Sequence, residues 1–237
     1  MNARQLRKYR SIQRSVRLLR VENVKGPEYE PLIKDLEKTL KRVAELIPAQ
    51  KVASKRRTGW ADVIAGRRVR LREVHMFRIS RRGPALMGWA PGAEVAFAMP
   101  RADASIPTLV GAARAMIKVV ARKPSLFTKE AAFPKGFLAA FRADLSDLEQ
   151  AVAGAEDNTS QLSQLTAEME ERIRHGRAQL RVLDGLLKPL SHGNKVFREK
   201  WEEAWIIPPV LGRPKKKNKK KKKDGEGDQD EDEEPAS

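Results

Sequence analysis

Cysteine is absent from this 237-residue chain. Without it no disulfide, thiol nucleophile or thiolate-ligated zinc site can form, and its absence suits a reducing compartment. Histidine is nearly as scarce, with only His75, His175 and His192, and aromatic residues make up 5%. Long apolar runs are missing too. The most apolar stretch, residues 85–100, is broken by proline, glycine and Glu94 and is too short to span a bilayer. The basic opening MNARQLRKYRSIQRSVRLLR has no continuous apolar block of the kind a secretory signal needs. These absences point to a cytoplasmic protein with no integral membrane insertion.

The motifs of catalysis are equally sparse. Neither HExxH nor GxGxxG occurs. Gly83 and Gly88 have the spacing of a phosphate loop, but Trp89-Ala90 stands where that loop needs Lys-Ser/Thr. A di-iron centre in a helical bundle needs two Glu-x-x-His pairs, and positions 72 and 172, three residues before His75 and His175, are both arginine. Glu171 and His175 can share a helix face, yet one pair does not make a metal site. No serine, threonine or lysine has a recognisable activating partner. The expectation is a non-enzymatic protein with no catalytic, metal-binding or cofactor-binding residue.

What is present is helical periodicity. Hydrophobic residues make up 41%, enough for a real core. Tyr9, Ile12, Val16 and Leu19 lie at steps of three and four, predicting a first helix over about 3–22 that Gly26-Pro27 stops. A second helix is predicted over about 31–82, with Pro31 in its first turn. One seam there reads Leu32, Leu46, Trp60, Val74 and the other Leu36, Val43, Ile64, Leu71, all at multiples of seven. The phase survives Pro48 and Gly59, so one bent helix is expected rather than two. Val95, Phe97 and Met99 alternate in the following connection and are placed over the end of the core. A third helix is expected over about 105–123, with Ser105 as its N-cap.

The longest pattern runs from Leu138 by sevens through Leu145, Val152, Thr159, Thr166, Ile173, Leu180 and Leu187. Its companion runs through Phe141, Leu148, Ala155, Leu162, Met169, Gly176, Leu183 and Leu190. It predicts one helix over about 134–190, roughly 85 Å long, lying along the second. A last helix over about 195–206 carries Phe197, Trp201 and Trp205. The fold class is therefore all-α: an elongated antiparallel, four-helix-bundle-like assembly over 1–212 with two very long helices. Residues 213–237, a lysine run followed by an acidic run, are expected to be a disordered tail.

The formal charge of +17 is unevenly placed, with +15 in residues 1–82 and +1 in each of 83–212 and 213–237. The tail neutralises itself. On the first helix Arg7, Arg10, Arg14 and Arg17 repeat at three, four and three, beside the apolar stripe. The second adds Lys55, Arg56, Arg57, Arg67, Arg68, Arg70 and Arg72. Arginine's planar fork donates two bonds to a phosphate at once. These residues are the candidate contacts to a nucleic-acid backbone or another polyanion, without reading of bases. Three other readings stand beside this one: a solvated face paired with acids of the fourth helix, a membrane-surface helix, and a protein–protein scaffold or homodimer joined through the heptads.

Six patches in order, LREVHM (71–76), AFAMPR (96–101), AARAM (112–116), FPKGFLAAF (133–141), RHGRAQLRVLDGLLKP (174–189) and KWEEAW (200–205), resemble a group of bacterial all-helical proteins with no assigned function. The resemblance covers about residues 4–206 and leaves out the tail. It implies a helical bundle and carries over no catalytic residue.

Overall fold

The computed structural model describes residues 1–88, 92–128, 131 and 133–207. Among them every regular element is helical, and residues Met1–Ile206 form one compact unit. No described helix is long and apolar enough to cross a membrane. The expected tail, 213–237, lies outside the described residues.

Helix α1 (Ala3–Val21) opens with a capping box, in which the Asn2 side chain accepts from the Gln5 amide while the Gln5 side chain accepts from the Asn2 amide. It ends before the expected Gly26-Pro27 stop. Asn23 takes a left-handed conformation (φ 52°), and the Val24 amide bonds back to the Leu19 carbonyl at 3.0 Å. That is a Schellman closure made with asparagine in place of glycine.

Helix α2 (Glu30–Arg70) has Pro31 in its first turn and passes through the exposed Pro48 and Gly59 without interruption. Proline at 48 removes one backbone bond, but on an exposed face the freed carbonyl can be hydrated. The chain then continues through a π-helical turn, Leu71–Met76, into α3 (Phe77–Leu86). Helical structure thus runs to Leu86, past the expected end near 82. The reason is packing: Gly83 and Pro84 are buried, and a Cβ at 83 would lie 2.7 Å from the Phe97 ring.

The π turn also corrects the seam that ends at Val74. Its wider turn shifts the phase by about one residue, so His75 and Met76 point inward while Val74 is 42% exposed. A short α4 (Ala93–Ala96) turns Val95 outward to 81% exposure, leaving Phe97 and Met99 to cover the core. Helix α5 (Ile106–Arg122) is capped by Ser105, whose hydroxyl accepts from the Thr108 amide.

Helix α6 (Phe137–His192) follows a left-handed Gly136 (φ 75°), and α7 (Lys195–Trp205) follows an Asn194 cap. The partners of α2 fix its direction against α6: Asp35 meets His175, Arg42 meets Glu168, Ala53 meets Asn158 and Arg70 meets Asp144. As one number rises the other falls, so the two run antiparallel. Helix α1 lies along the first part of α2, with Met1 bonded to Gln50 and Arg20 bonded to Glu30 and Glu37.

Apolar side chains gather in three clusters. One joins α3, α5 and the start of α6 around Phe97, Phe133 and Phe141. The others lie where α1 and α7 cover the early α2 and the late α6, around Ile12, Ile33 and Leu180 and around Val43 and Met169. Between Ile47 and Ile64 on α2, and between Val152 and Leu165 on α6, no residue belongs to any of the three. In this stretch, called the neck below, the buried positions are Ala53 and Asn158, while Thr159 of the heptad seam is exposed. A straight helix drifts from a strict seven-residue repeat, and the seam slips by one residue here.

Candidate polyanion interface

The arginines and lysines singled out by sequence fall into three groups with different surroundings. On α1, Arg10, Arg14 and Arg17 are exposed and Arg7 is half-buried. Among the described residues none of the four has a carboxylate at ion-pair distance. Arg14 reaches the Ile206 carbonyl at 3.4 Å. Arg14 and Arg17 line a groove of about 410 Å³ with Leu18, Glu22, Lys200 and Glu203, in which Glu22 pairs with Lys200 at 2.8 Å.

Lys55, Arg56 and Arg57 are exposed on the neck and likewise have no described ion pair. Gln50 marks the level of the α1 N-terminus, and at 1.5 Å per residue these three lie about 10 Å beyond it.

The third group is engaged internally. Arg67 pairs with Asp147 at 2.7 Å, and Arg70 with Asp144 at 2.8 Å. Arg68 donates to the carbonyls of Ala102 and Ala104, both at 2.6 Å, and Arg72 to those of Pro100 and Arg101 at 2.8 and 2.9 Å. These two forks hold the 100–104 segment against α2. The group begins about 25 Å along α2 from Gln50. Four of the eleven residues thus have partners within the fold, and the other seven have no described carboxylate at ion-pair distance.

Two arrangements were not legible from sequence. His75, 3% exposed, directs Nε2 to Asp144 Oδ2 at 2.6 Å and stacks on Phe141 at 5.1 Å. Burial pushes the Asp144 carboxyl up, but hydrogen bonds from His75 and Arg70 outweigh it and hold that group below the usual carboxylate range. The ionised carboxylate assigns the proton to His75 Nε2, and the buried Nδ1 has no partner. A His–carboxylate pair is the core of a general base, yet this ring is closed in by Phe137 and Phe141. Its observed effect is to pin the π turn to α6. Among the described residues no three metal-ligating side chains converge.

The second arrangement closes α7. Arg177 donates to the Trp205 carbonyl at 2.6 Å and to Ser11 at 3.1 Å, with its guanidinium 5.3 Å from the Trp205 ring. Together with Arg14 it places positive charge at a helix C-terminus, where the backbone dipole favours it. Burial, then Arg181, lowers the Arg177 pKa.

No family model, curated protein or solved structure matches this chain.

Proposed function

We propose that the protein is a non-enzymatic binding module that takes the backbone of a nucleic acid on its arginine-bearing N-terminal flank. In this reading α2 and α6 are the two long members of an elongated antiparallel bundle. Helix α1 forms a cationic edge, and the protein works in the cytoplasm. The observation behind it is the division among the arginines. Those on α2 beyond Ile64 have internal partners, whereas Arg7, Arg10, Arg14 and Arg17 keep a helical row without carboxylates. A row of unpaired forks facing solvent suits the regular spacing of phosphates and reads no base.

The test is fluorescence-anisotropy titration of the full chain with random-sequence duplex DNA across a salt series. The logarithm of affinity should fall linearly with log salt, at about 0.9 per phosphate engaged. Replacing Arg10, Arg14 and Arg17 together by glutamate should lower affinity at least tenfold and flatten that slope by about 3. Unchanged affinity refutes the reading. A second reading, a scaffold or homodimer, is favoured by Val52 and Val63, 50% and 40% exposed on the neck. Light scattering that finds a stable oligomer indifferent to nucleic acid would select it.

A further inference from the structure

The neck holds a groove of about 760 Å³, within the range of small-ligand sites, and its lining is unlike a gap left by loose packing. One wall is Trp60, half-buried at a level where α2 and α6 have only each other. Its six-membered ring lies directly on the backbone of α6. A Cβ at position 154 would fall 2.8 Å from the ring, and Gly154 supplies none. The indole thus packs on the helix at the one point where position 154 has no side chain.

Beside it stands Asn158, 6% exposed, which donates from Nδ2 to the Ala53 carbonyl at 3.0 Å. That bond fixes the amide orientation, since a flip would set oxygen against oxygen. Oδ1 has no partner in the protein and is itself closed off from solvent, so Asn158 ties α6 to α2 and floors the groove without offering a contact. Arg56 lies one turn before Trp60 on the same face and lines the same groove, with Asp157 opposite. Lys55 and Arg57 flank it, exposed and without a described ion pair.

An aromatic ring and a neighbouring guanidinium match two parts of a nucleotide: the base stacks, and its phosphate meets the cation. An apolar helix from another protein would cover Trp60 and Val63 but bring no negative charge to Lys55, Arg56 and Arg57. We propose that the neck groove holds an unpaired base of a single-stranded nucleic acid, stacked on Trp60 with its phosphate on Arg56. A base inside a duplex is stacked on its neighbours and presents no face to the groove. Single strands, unlike duplexes, gain base–aromatic stacking in addition to backbone contacts. The inference rests on the polyanion reading above and adds the strand class and the residue that selects it.

The experiment compares the full-length protein with Trp60→Leu and Trp60→Phe against a mixed-sequence single strand and a duplex of equal length. Circular-dichroism melting confirms that both variants are folded. Wild type should favour the single strand and lose tryptophan emission when it binds. Trp60→Leu should weaken single-strand affinity about tenfold and leave duplex affinity unchanged, with Trp60→Phe in between. Competition with adenosine monophosphate separates a strand from a free nucleotide: displacement of the strand at equal base concentration would assign the groove to the free nucleotide and overturn the proposal. Equal loss on both nucleic acids, or none on either, also overturns it. So does an oligomer that Trp60→Leu dissociates without change in single-strand affinity, which would make the neck a face for a second copy. Steep salt-dependent duplex binding with no preference for the single strand would sink this inference and leave the backbone reading intact. Absence of binding to either nucleic acid at low salt sinks both.

Discussion

Where α3 and α5 lie against the start of α6, the chain buries Phe97, Phe127, Phe133, Phe137 and Phe141, with consecutive ring centroids 4.8–6.3 Å apart. Along the neck, α2 and α6 alone bury only Ala53 and Asn158. Helix α2 runs uninterrupted through the neck, so the contrast is one of side chains. Two helices alone cannot enclose a large residue, because each leaves half of its partner's circumference open to water. A third helix supplies the missing wall, and α1 and α5 each supply it over only part of the length. The neck accordingly uses side chains that a two-helix contact can cover: alanine, glycine and an amide bonded to backbone. That same openness leaves Trp60 within reach of a ligand. Stability is concentrated where three elements meet, and access where two do.

The largest test of this contrast is Phe141→Ala. The ring is 0% exposed and stacks on His75, and α6 cannot close over the space it would vacate. A loss of about 3–5 kcal/mol is expected, read from the urea midpoint. Loss below about 1 kcal/mol would mean that the aromatic cluster is loosely packed and that the comparison has been drawn in the wrong place.

Acid should act in both of the well-packed regions. Asp144 has its pKa lowered in the fold, as do Asp35, chiefly through His175, and Glu37, chiefly through Arg20. A depressed carboxyl contributes stability that is fully present above its unfolded value and is lost as pH falls through the folded value. Unfolding free energy should therefore hold steady above the ordinary carboxylate range and fall as pH drops into and below it. Asp144→Asn should be less stable at neutral pH, because Arg70 and His75 lose their charged acceptor, and should lose less on acidification. A variant whose profile parallels wild type would mean that the Arg70–Asp144–His75 contact contributes nothing to the pH dependence.

How much of this was legible beforehand follows from the range of each interaction. Helix content was, because apolar steps of three, four and seven are local. Asn23 as the stop of α1 was not, since Gly26-Pro27 three residues later is the louder signal. The π turn was invisible to a search for strict sevens, which placed Val74 inside and passed over His75. Arg68 and Arg72 looked like solvent-facing cations because their partners are backbone carbonyls 28–36 residues away, and a carbonyl has no signature in sequence. Trp60 was visible as a seam residue, whereas Gly154 carried no signal of its own. Only the antiparallel register sets a missing Cβ under an indole.

Two glycines of the neck give the finest test, because the same substitution should have opposite signs within one groove. At Gly154 a methyl group would meet the Trp60 ring at 2.8 Å, closer than carbon atoms approach, so either the indole or the helix must shift. Gly154→Ala is expected to destabilise by about 1–3 kcal/mol, less whatever alanine returns in helix propensity, and to alter Trp60 fluorescence. At Gly59, on α2 one residue before Trp60, a Cβ meets nothing within 4 Å. Gly59→Ala should therefore stabilise by about 0.5–1 kcal/mol, through the reduced entropy of the unfolded chain and better helix propensity. Thermal melts of the two variants decide between a neck built around Trp60 and a neck that is merely thin. In a thin neck both alanines stabilise. With Trp60 seated on Gly154, the two melting temperatures move apart, and the neck is then under-packed at one glycine and closely fitted at the other.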